Sequence, residues 1–233
     1  MINKGKKIIK NYTSTPAYEF LSWIKNMVVK YYAIHCYKRI DGWITLNEAI
    51  ALYDIARSLK NMNPRVVELG SWQGKSTFIL YKGLNKKQLA EIYCIDPFNA
   101  DGDCRSKIQY KSKESKKDCS LKDQFLQNCA IYKMNRFVKL LEGYSYEFSK
   151  EWNLPIDFLF IDANHSEKAV YQDYLEWSNF VAKGGYIAFH DVLFDEKNGA
   201  WSGPGKIFNS YLIKDNRFVL HKYIDSLLVA KRL

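Results

Sequence analysis

Apolar residues recur with a helical period at the start of the chain and in short runs thereafter. Between Ala17 and Lys38, Phe20, Leu21, Ile24, Met27, Val28 and Tyr31 follow a spacing close to 3.6, with Pro16 just inside the predicted start. A second helix is predicted from Thr45 to about Leu59. Its opening, Thr45-Leu46-Asn47-Glu48, has the capping-box form, in which hydroxyl and carboxylate satisfy each other's backbone N–H groups. After Pro64 the rhythm changes. Strands are predicted at Val66–Leu69, Ile92–Ile95, Phe137–Leu141, Ile156–Ile161, Tyr186–Phe189, Phe218–Ile224 and Leu227–Ala230. Helical patterns lie between them at Ser76–Leu84, Leu121–Tyr132, Tyr146–Trp152, Glu167–Val181 and Lys206–Ile213. Such alternation predicts an α/β fold with a doubly wound, seven-stranded, mostly parallel sheet. The last two strands are separated by Asp225-Ser226 alone, too few residues for a crossover, so they form an antiparallel hairpin at one edge. The chain thus divides into an N-terminal helical cover, residues 1–62, and a doubly wound domain, residues 63–233.

Two long loops interrupt this plan: Pro97–Ser120, rich in Lys, Ser and Asp, and Val192–Gly205, with Gly199, Gly203, Pro204 and Gly205. Loops of that length in a compact domain are functional or mobile.

Composition narrows the picture. Of 233 residues, 47% are hydrophobic and 26% charged, which excludes collagen-like and mainly disordered chains. The net charge of +10 suggests nucleic acid, but the lysines concentrate in residues 4–10 and 105–122 rather than over one face. Ala17–Tyr37, the most apolar early stretch, is broken by Glu19, Lys25 and Lys30, so no membrane span is expected. No secretory signal pattern follows the basic start, and the five scattered cysteines read as reduced thiols in a cytoplasmic protein.

In an open parallel sheet, ligands bind beyond the carboxyl ends of the strands. The first predicted strand runs into Gly70-Ser71-Trp72-Gln73-Gly74-Lys75-Ser76, a glycine turn that lets backbone approach a ligand. The dinucleotide fingerprint would need a glycine at Trp72. Glu68 and Asp96 end the first two strands, and an acid at Asp96 can accept hydrogen bonds from ribose hydroxyls. The fourth strand ends in Asp162-Ala163-Asn164-His165 and the fifth in His190-Asp191. These tips share an edge of the sheet, so Asp162, His165, His190 and Asp191 can converge. Two carboxylates there suit a hard cation such as Mg2+, and a histidine suits a general base. Each residue alone is more readily a cap or a core group; the four together reverse that and favour chemistry.

Val66-Val67-Glu68-Leu69-Gly70-x-x-x-Gly74-x-Ser76, with Tyr93-Cys94-Ile95-Asp96, resembles the S-adenosylmethionine site of class I methyltransferases, from about Pro64 to the C-terminus. The resemblance implies a Rossmann-like methyltransferase domain over 63–233. It implies cofactor contacts at Glu68, Gly70, Ser71, Trp72, Gly74, Ser76, Asp96 and Asp162, with Tyr144 and Ser145 near the adenine. Ile161–Ser166, Ala169–Asp173 and Lys183–Asp191 resemble the macrocin O-methyltransferase-related group of bacterial sugar and polysaccharide enzymes. That implies metal ligation by Asp162 and Asp191, with His165 as base. His190 stands where metal-dependent relatives often carry an acid; it is a third ligand, a second base or a substrate contact.

The expected activity is methylation of a hydroxyl of a small molecule, a sugar or glycan precursor, by S-adenosylmethionine with a divalent metal. The sequence does not fix the oligomeric state, although the apolar N-terminal helices could contribute to the interface of a homo-oligomer. Wall residues are expected among Tyr31, Tyr32, His35, Trp43, Trp72 and Trp201, with the basic 105–122 loop able to attract an anionic acceptor. Two rivals stand beside this. One is an RNA methyltransferase using the basic surface, disfavoured because Asp162-Ala163-Asn164-His165 lacks the motif of base-amine methylation. The other is a non-catalytic cofactor-binding protein.

Overall fold

A computed structural model of the chain describes residues 16–84, 89–102, 106–114, 119–192 and 202–233. Helices α1 (Pro16–Ile34) and α2 (Leu46–Ser58) are joined through a 3-10 turn at His35–Arg39. They precede β1 (Arg65–Leu69), α3 (Lys75–Gly83), β2 (Glu91–Asp96), α4 (Ser106–Glu114) and α5 (Leu121–Ile131). Next come β3 (Val138–Glu142), α6 (Ser145–Ser149), β4 (Ile156–Ile161), α7 (Glu167–Trp177) and β5 (Val181–Phe189). The chain closes with α8 (Ser202–Ser210), β6 (Phe218–Ile224) and β7 (Leu227–Arg232).

The seven strands form one sheet in the order β3-β2-β1-β4-β5-β7-β6. Pairs from β3 to β5 are parallel, whereas β7 runs antiparallel to both β5 and β6. This is the expected doubly wound sheet with a closing hairpin.

Successive strand residues point to opposite faces, so each strand feeds two cores. Val66, Ile92, Phe158, Phe160 and Val229 meet α2, α3 and α5 through Leu52, Phe78, Ile79 and Phe125. Val67, Leu69, Leu159, Ile187 and Phe189 meet α7 and α8 through Val170, Trp177 and Ile207. Each fully buried side chain of this size stabilises by about 1.5–3 kcal/mol, so both faces carry the fold.

Three expectations are corrected. The polar stretch Pro97–Ser120 contains the helix α4. Residues 202–205, read as loop, open α8 despite their glycines and proline. β5 begins at Val181, five residues earlier than expected, because Gly184 takes φ +79° and the β4–β5 register shifts between Ile156 and Phe158. Trp201, Cys104 and Lys4–Lys10 lie outside the described residues.

Among the described residues no helix is long and apolar enough to cross a membrane.

Candidate active site at the strand tips

Register builds the site. Leu69 pairs with Ile95 and Ile161, and Ile161 pairs with Phe189. The residues that follow these four, Gly70, Asp96, Asp162 and His190, therefore emerge side by side at one edge. Backbone bonds continue the ladder one step further: Gly70 N donates to Ile95 O (2.9 Å), Asp162 N to Leu69 O (2.8 Å) and His190 N to Ile161 O (3.1 Å). β1 and β4 lie adjacent at the point where the strand order reverses, which is where open α/β sheets hold ligands.

A cavity of about 340 Å3 opens over this edge. Its walls include Gly70, Ser71, Trp72, Ser76, Asp96, Tyr144, Ser145, Asp162, His165, His190 and Asp191 from the expected set. Glu68 and Gly74 do not line it; Tyr31, Tyr32 and His35 do not either. Trp43 does, together with Asp41 and Gly42 from the helical cover.

The turn after β1 is held from below and from the side. Gly70 has φ +85°, and a Cβ there would lie 2.2 Å from the Asp162 carbonyl oxygen, so no other residue fits. Glu68 is buried; its Oε2 accepts from Ser71 Oγ (2.8 Å) and Thr77 Oγ1 (2.5 Å). Burial pushes its carboxyl up against the pull of the Ser76, Thr77 and Ser71 hydroxyls. Glu68 thus braces the turn from beneath the cavity floor. Asp96 Oδ2 accepts from the N–H groups of Ser71 and Trp72 (both 2.8 Å), and Oδ1 from Phe98 N (2.7 Å). A carboxylate has about four lone-pair positions, so Asp96 keeps acceptor capacity for a ligand.

At the far wall Tyr144 stacks on Tyr146 (5.5 Å between ring centres), and its hydroxyl accepts from Asn99 Nδ2 (2.9 Å). Ser145 Oγ donates to Asp173 Oδ1. Burial pushes the Asp173 carboxyl up to about 7, with the Ser145 hydrogen bond opposing and the charge of Glu176 adding.

At the tips of β4 and β5 two carboxylates and two imidazoles converge. His165 Nε2 lies 3.2 Å from Asp191 Oδ2 and 3.8 Å from Asp162 Oδ1. His190 Nδ1 lies 3.2 Å from Asp162 Oδ1 and 3.4 Å from Asp191 Oδ2, without the alignment of a hydrogen bond. Burial opposes charge on Asp191, yet the neighbouring imidazoles of His165 and His190 hold it below the usual carboxylate range. Burial likewise opposes the His190 imidazolium, but the neighbouring carboxylates of Asp162, Asp191 and Glu48 raise it well above the ordinary value. Asp191 sits at φ +54°, a left-handed conformation that costs about 1–3 kcal/mol and clusters at functional sites. One ligand atom each from Asp162, His165 and Asp191 fall within 4.8 Å of one another. With the buried Nδ1 of His190 beside them, this donor set fits a divalent cation; imidazole nitrogen admits Mn2+, Fe2+ or Zn2+ as well as Mg2+.

Four contributors escaped sequence reasoning. Tyr110 of α4 packs on Trp72 (4.8 Å) and Trp43 (5.3 Å), so one helix of the basic stretch faces the cavity. Asp173 closes the Ala169–Asp173 stretch of the resemblance, which assigned it no role, yet it is buried at the cavity wall. Gly203 of α8 sits so close that a Cβ would lie 2.3 Å from His165 O. Glu48 bears on His190 Nε2 at 3.2 Å from 142 residues away. The sequence signal of Glu48 was fully accounted for by the capping box.

An open sheet of this order, with a glycine turn after β1 and an acid at the tip of β2, defines the Rossmann-like methyltransferase class. Residues 67–192, more than half of the chain, match the family described as a methyltransferase domain, and the chain belongs to it. Solved structures share the fold at low identity. The O-methyltransferase TomG from Streptomyces achromogenes, involved in tomaymycin synthesis and solved with SAM, is 14% identical over 88% of each chain, with TM-score 0.59. The Bacillus cereus O-methyltransferase solved with SAH is 12% identical, covering 89% of this chain and 91% of that one, TM-score 0.58. The SAH-bound methyltransferase PaMTH1 of Podospora anserina is 19% identical, covering 80% and 78%, TM-score 0.56.

Proposed function

We propose that this methyltransferase uses S-adenosylmethionine to methylate a hydroxyl oxygen of a small molecule, a sugar or glycan precursor, as in the macrocin O-methyltransferase-related group. The observation that carries the reading is the convergence of Asp162, His165 and Asp191 in the cavity that the Gly70 turn and Asp96 line. TomG and the Bacillus cereus enzyme are named O-methyltransferases and hold SAM or SAH, which supports the cofactor and the oxygen acceptor.

When bound, the cofactor supplies an electrophilic sulfonium methyl, and a divalent cation supplies Lewis-acid polarisation of the acceptor oxygen. The protein's part is alignment and proton removal. Gly70, Ser71, Trp72 and Ser76 would cradle the methionine end, Asp96 would take the ribose, and Tyr144 and Ser145 would flank the adenine. Asp162 and Asp191 would hold the cation, with His190 Nδ1, on losing its proton, as third donor. His165 accepts the hydroxyl proton at Nε2, and Asp191, 3.2 Å away, stabilises the imidazolium that results. Trp43, Trp72 and Tyr110 offer ring faces beside Asp41, Asn99 and Asp101, a pairing of apolar and hydrogen-bonding walls that suits a sugar ring.

Exposed Phe20, Leu21, Trp23 and Tyr32 on α1 support association of two copies through that helix. Free thiols at Cys36, Cys94, Cys119 and Cys129 fit a reducing, cytoplasmic setting.

Transfer of labelled methyl from S-adenosylmethionine to a panel of nucleotide sugars and glycans tests the function. His165→Ala is expected to lower turnover by about 100-fold or more while S-adenosylhomocysteine binding survives. Labelling of RNA in preference to sugars would overturn the acceptor class, and full activity after exhaustive chelation would remove the cation.

A further inference from the structure

Glu48 lies on α2, outside the sheet that carries Asp162, His190 and Asp191. It is 1% exposed. A buried carboxylate is costly unless fully hydrogen-bonded. The capping box uses one of its acceptor positions: Thr45 N donates to Oε2 (2.9 Å), and Glu48 N donates to Thr45 Oγ1 (3.2 Å). The other partners have no capping role. His190 Nε2 stands 3.2 Å from the same Oε2. Oε1 accepts from Ser226 N (3.0 Å) and Ser226 Oγ (2.7 Å), in the turn between β6 and β7. Four donors from three separated elements hold the carboxylate in place.

A carboxylate on one ring nitrogen of a histidine fixes the proton there and sets the ring's direction. Here the other nitrogen, Nδ1, is thereby turned to Asp162 and Asp191, and it is buried without a hydrogen-bond partner of its own. We propose that Glu48 is a positioning residue of the site: it anchors the Nε2 proton of His190 and so presents Nδ1 to the Asp162–Asp191 pair. This rests on reading that pair as the working centre. It goes beyond that reading by making the helical cover, and the hairpin turn at Ser226, part of the machinery.

The test compares wild type with Glu48→Gln, Glu48→Asp and Thr45→Ala, using ring-nitrogen correlation spectra of 15N-histidine-labelled protein, with His190→Asn to assign the signal. Wild type is expected to show His190 protonated at Nε2. Glu48→Gln removes the anion, and Glu48→Asp withdraws the oxygen from Nε2 while keeping the charge. Both are expected to change the nitrogen pattern. Thr45→Ala removes the cap and the bond from Thr45 Oγ1 to Asp225 Oδ2 (2.6 Å) but keeps Glu48 on His190 and Ser226, so it is expected to leave the pattern as in wild type, which separates positioning from helix stability. Mn2+ binding, read by electron paramagnetic resonance, is expected to weaken about 10–100-fold in Glu48→Gln while calorimetric S-adenosylhomocysteine affinity holds. An unchanged His190 pattern in either Glu48 variant overturns the proposal. Absence of Mn2+ binding in wild type would instead sink the metal reading and leave the nitrogen pattern to decide the role of Glu48.

Discussion

Asp173 gives the sharpest test of the energetics around the cavity. Its carboxyl is buried against Ser145 on the wall, and burial lifts it from 3.8 to about 7. The folded chain therefore keeps a proton on Asp173 that the unfolded chain releases at much lower pH. Roughly three pH units at about 1.4 kcal/mol each give a linkage of about 4 kcal/mol. Because the folded value is the higher one, this stability is fully present below 3.8 and is lost as pH rises through 7. Asp173→Asn keeps a carbonyl oxygen for the Ser145 hydroxyl and cannot ionise. It should match wild type near pH 4 and exceed it by up to about 4 kcal/mol at pH 8, a large share of a typical folding free energy of about 5–15 kcal/mol. Glu48 does not confuse the window: burial opposes its charge, but its bonds to His190, Thr45 and Ser226 bring it to about 2, so its contribution is lost only below 4.5. His190 is present in both proteins and cancels in the difference. Urea denaturation at half-unit steps from pH 4 to 8, with a common slope, measures it. A variant-minus-wild-type difference that stays flat across that range would refute the reasoning.

Other expectations follow from close approaches and backbone acceptors. Gly70→Ala places a methyl 2.2 Å from the Asp162 carbonyl oxygen at φ +85°; loss of S-adenosylhomocysteine binding and a lower Tm are expected, and wild-type calorimetry would contradict it. Asp96→Asn leaves one oxygen for the three N–H groups of Ser71, Trp72 and Phe98; an orphaned donor costs about 1–3 kcal/mol, so cofactor affinity should fall at least tenfold. Gly203→Ala forces the start of α8 off the His165 carbonyl; methyl transfer should drop more than S-adenosylhomocysteine affinity, and equal losses would argue against a specific effect on His165.

The sheet was legible because strand signals are local. Ile156–Ile161 and Phe218–Ile224 match the observed strands end to end, since each is a short apolar or β-branched run bounded by turn residues. The helix α4 was hidden because Ser106–Glu114 carries few apolar residues among its lysines and serines, and its inward Tyr110 packs on Trp43 and Trp72, from two other segments. The start of α8 was hidden because Gly203-Pro204-Gly205 reads as punctuation, whereas close packing against His165 needs a residue without a side chain at Gly203. In the site, the acids and histidines at strand tips followed from topology. Glu48 and Asp173 did not, because both depend on burial by elements far along the chain, which no spacing within a helix reports.

The hydrogen bonds of Glu48 also bear on synthesis. Its acceptor Oε1 is filled by Ser226, made 178 residues later. At about 5–20 residues per second, a ribosome takes roughly 10–35 seconds to bridge that gap. For that interval the helical cover can form its capped helix but cannot seat a compensated carboxylate against the sheet. Seating of Glu48 against the sheet therefore waits for the turn between β6 and β7. A nascent chain arrested before Ser226 lacks both donors to Glu48 Oε1, so the support that the helical cover gives His190 is completed only after every strand but β7 has been made.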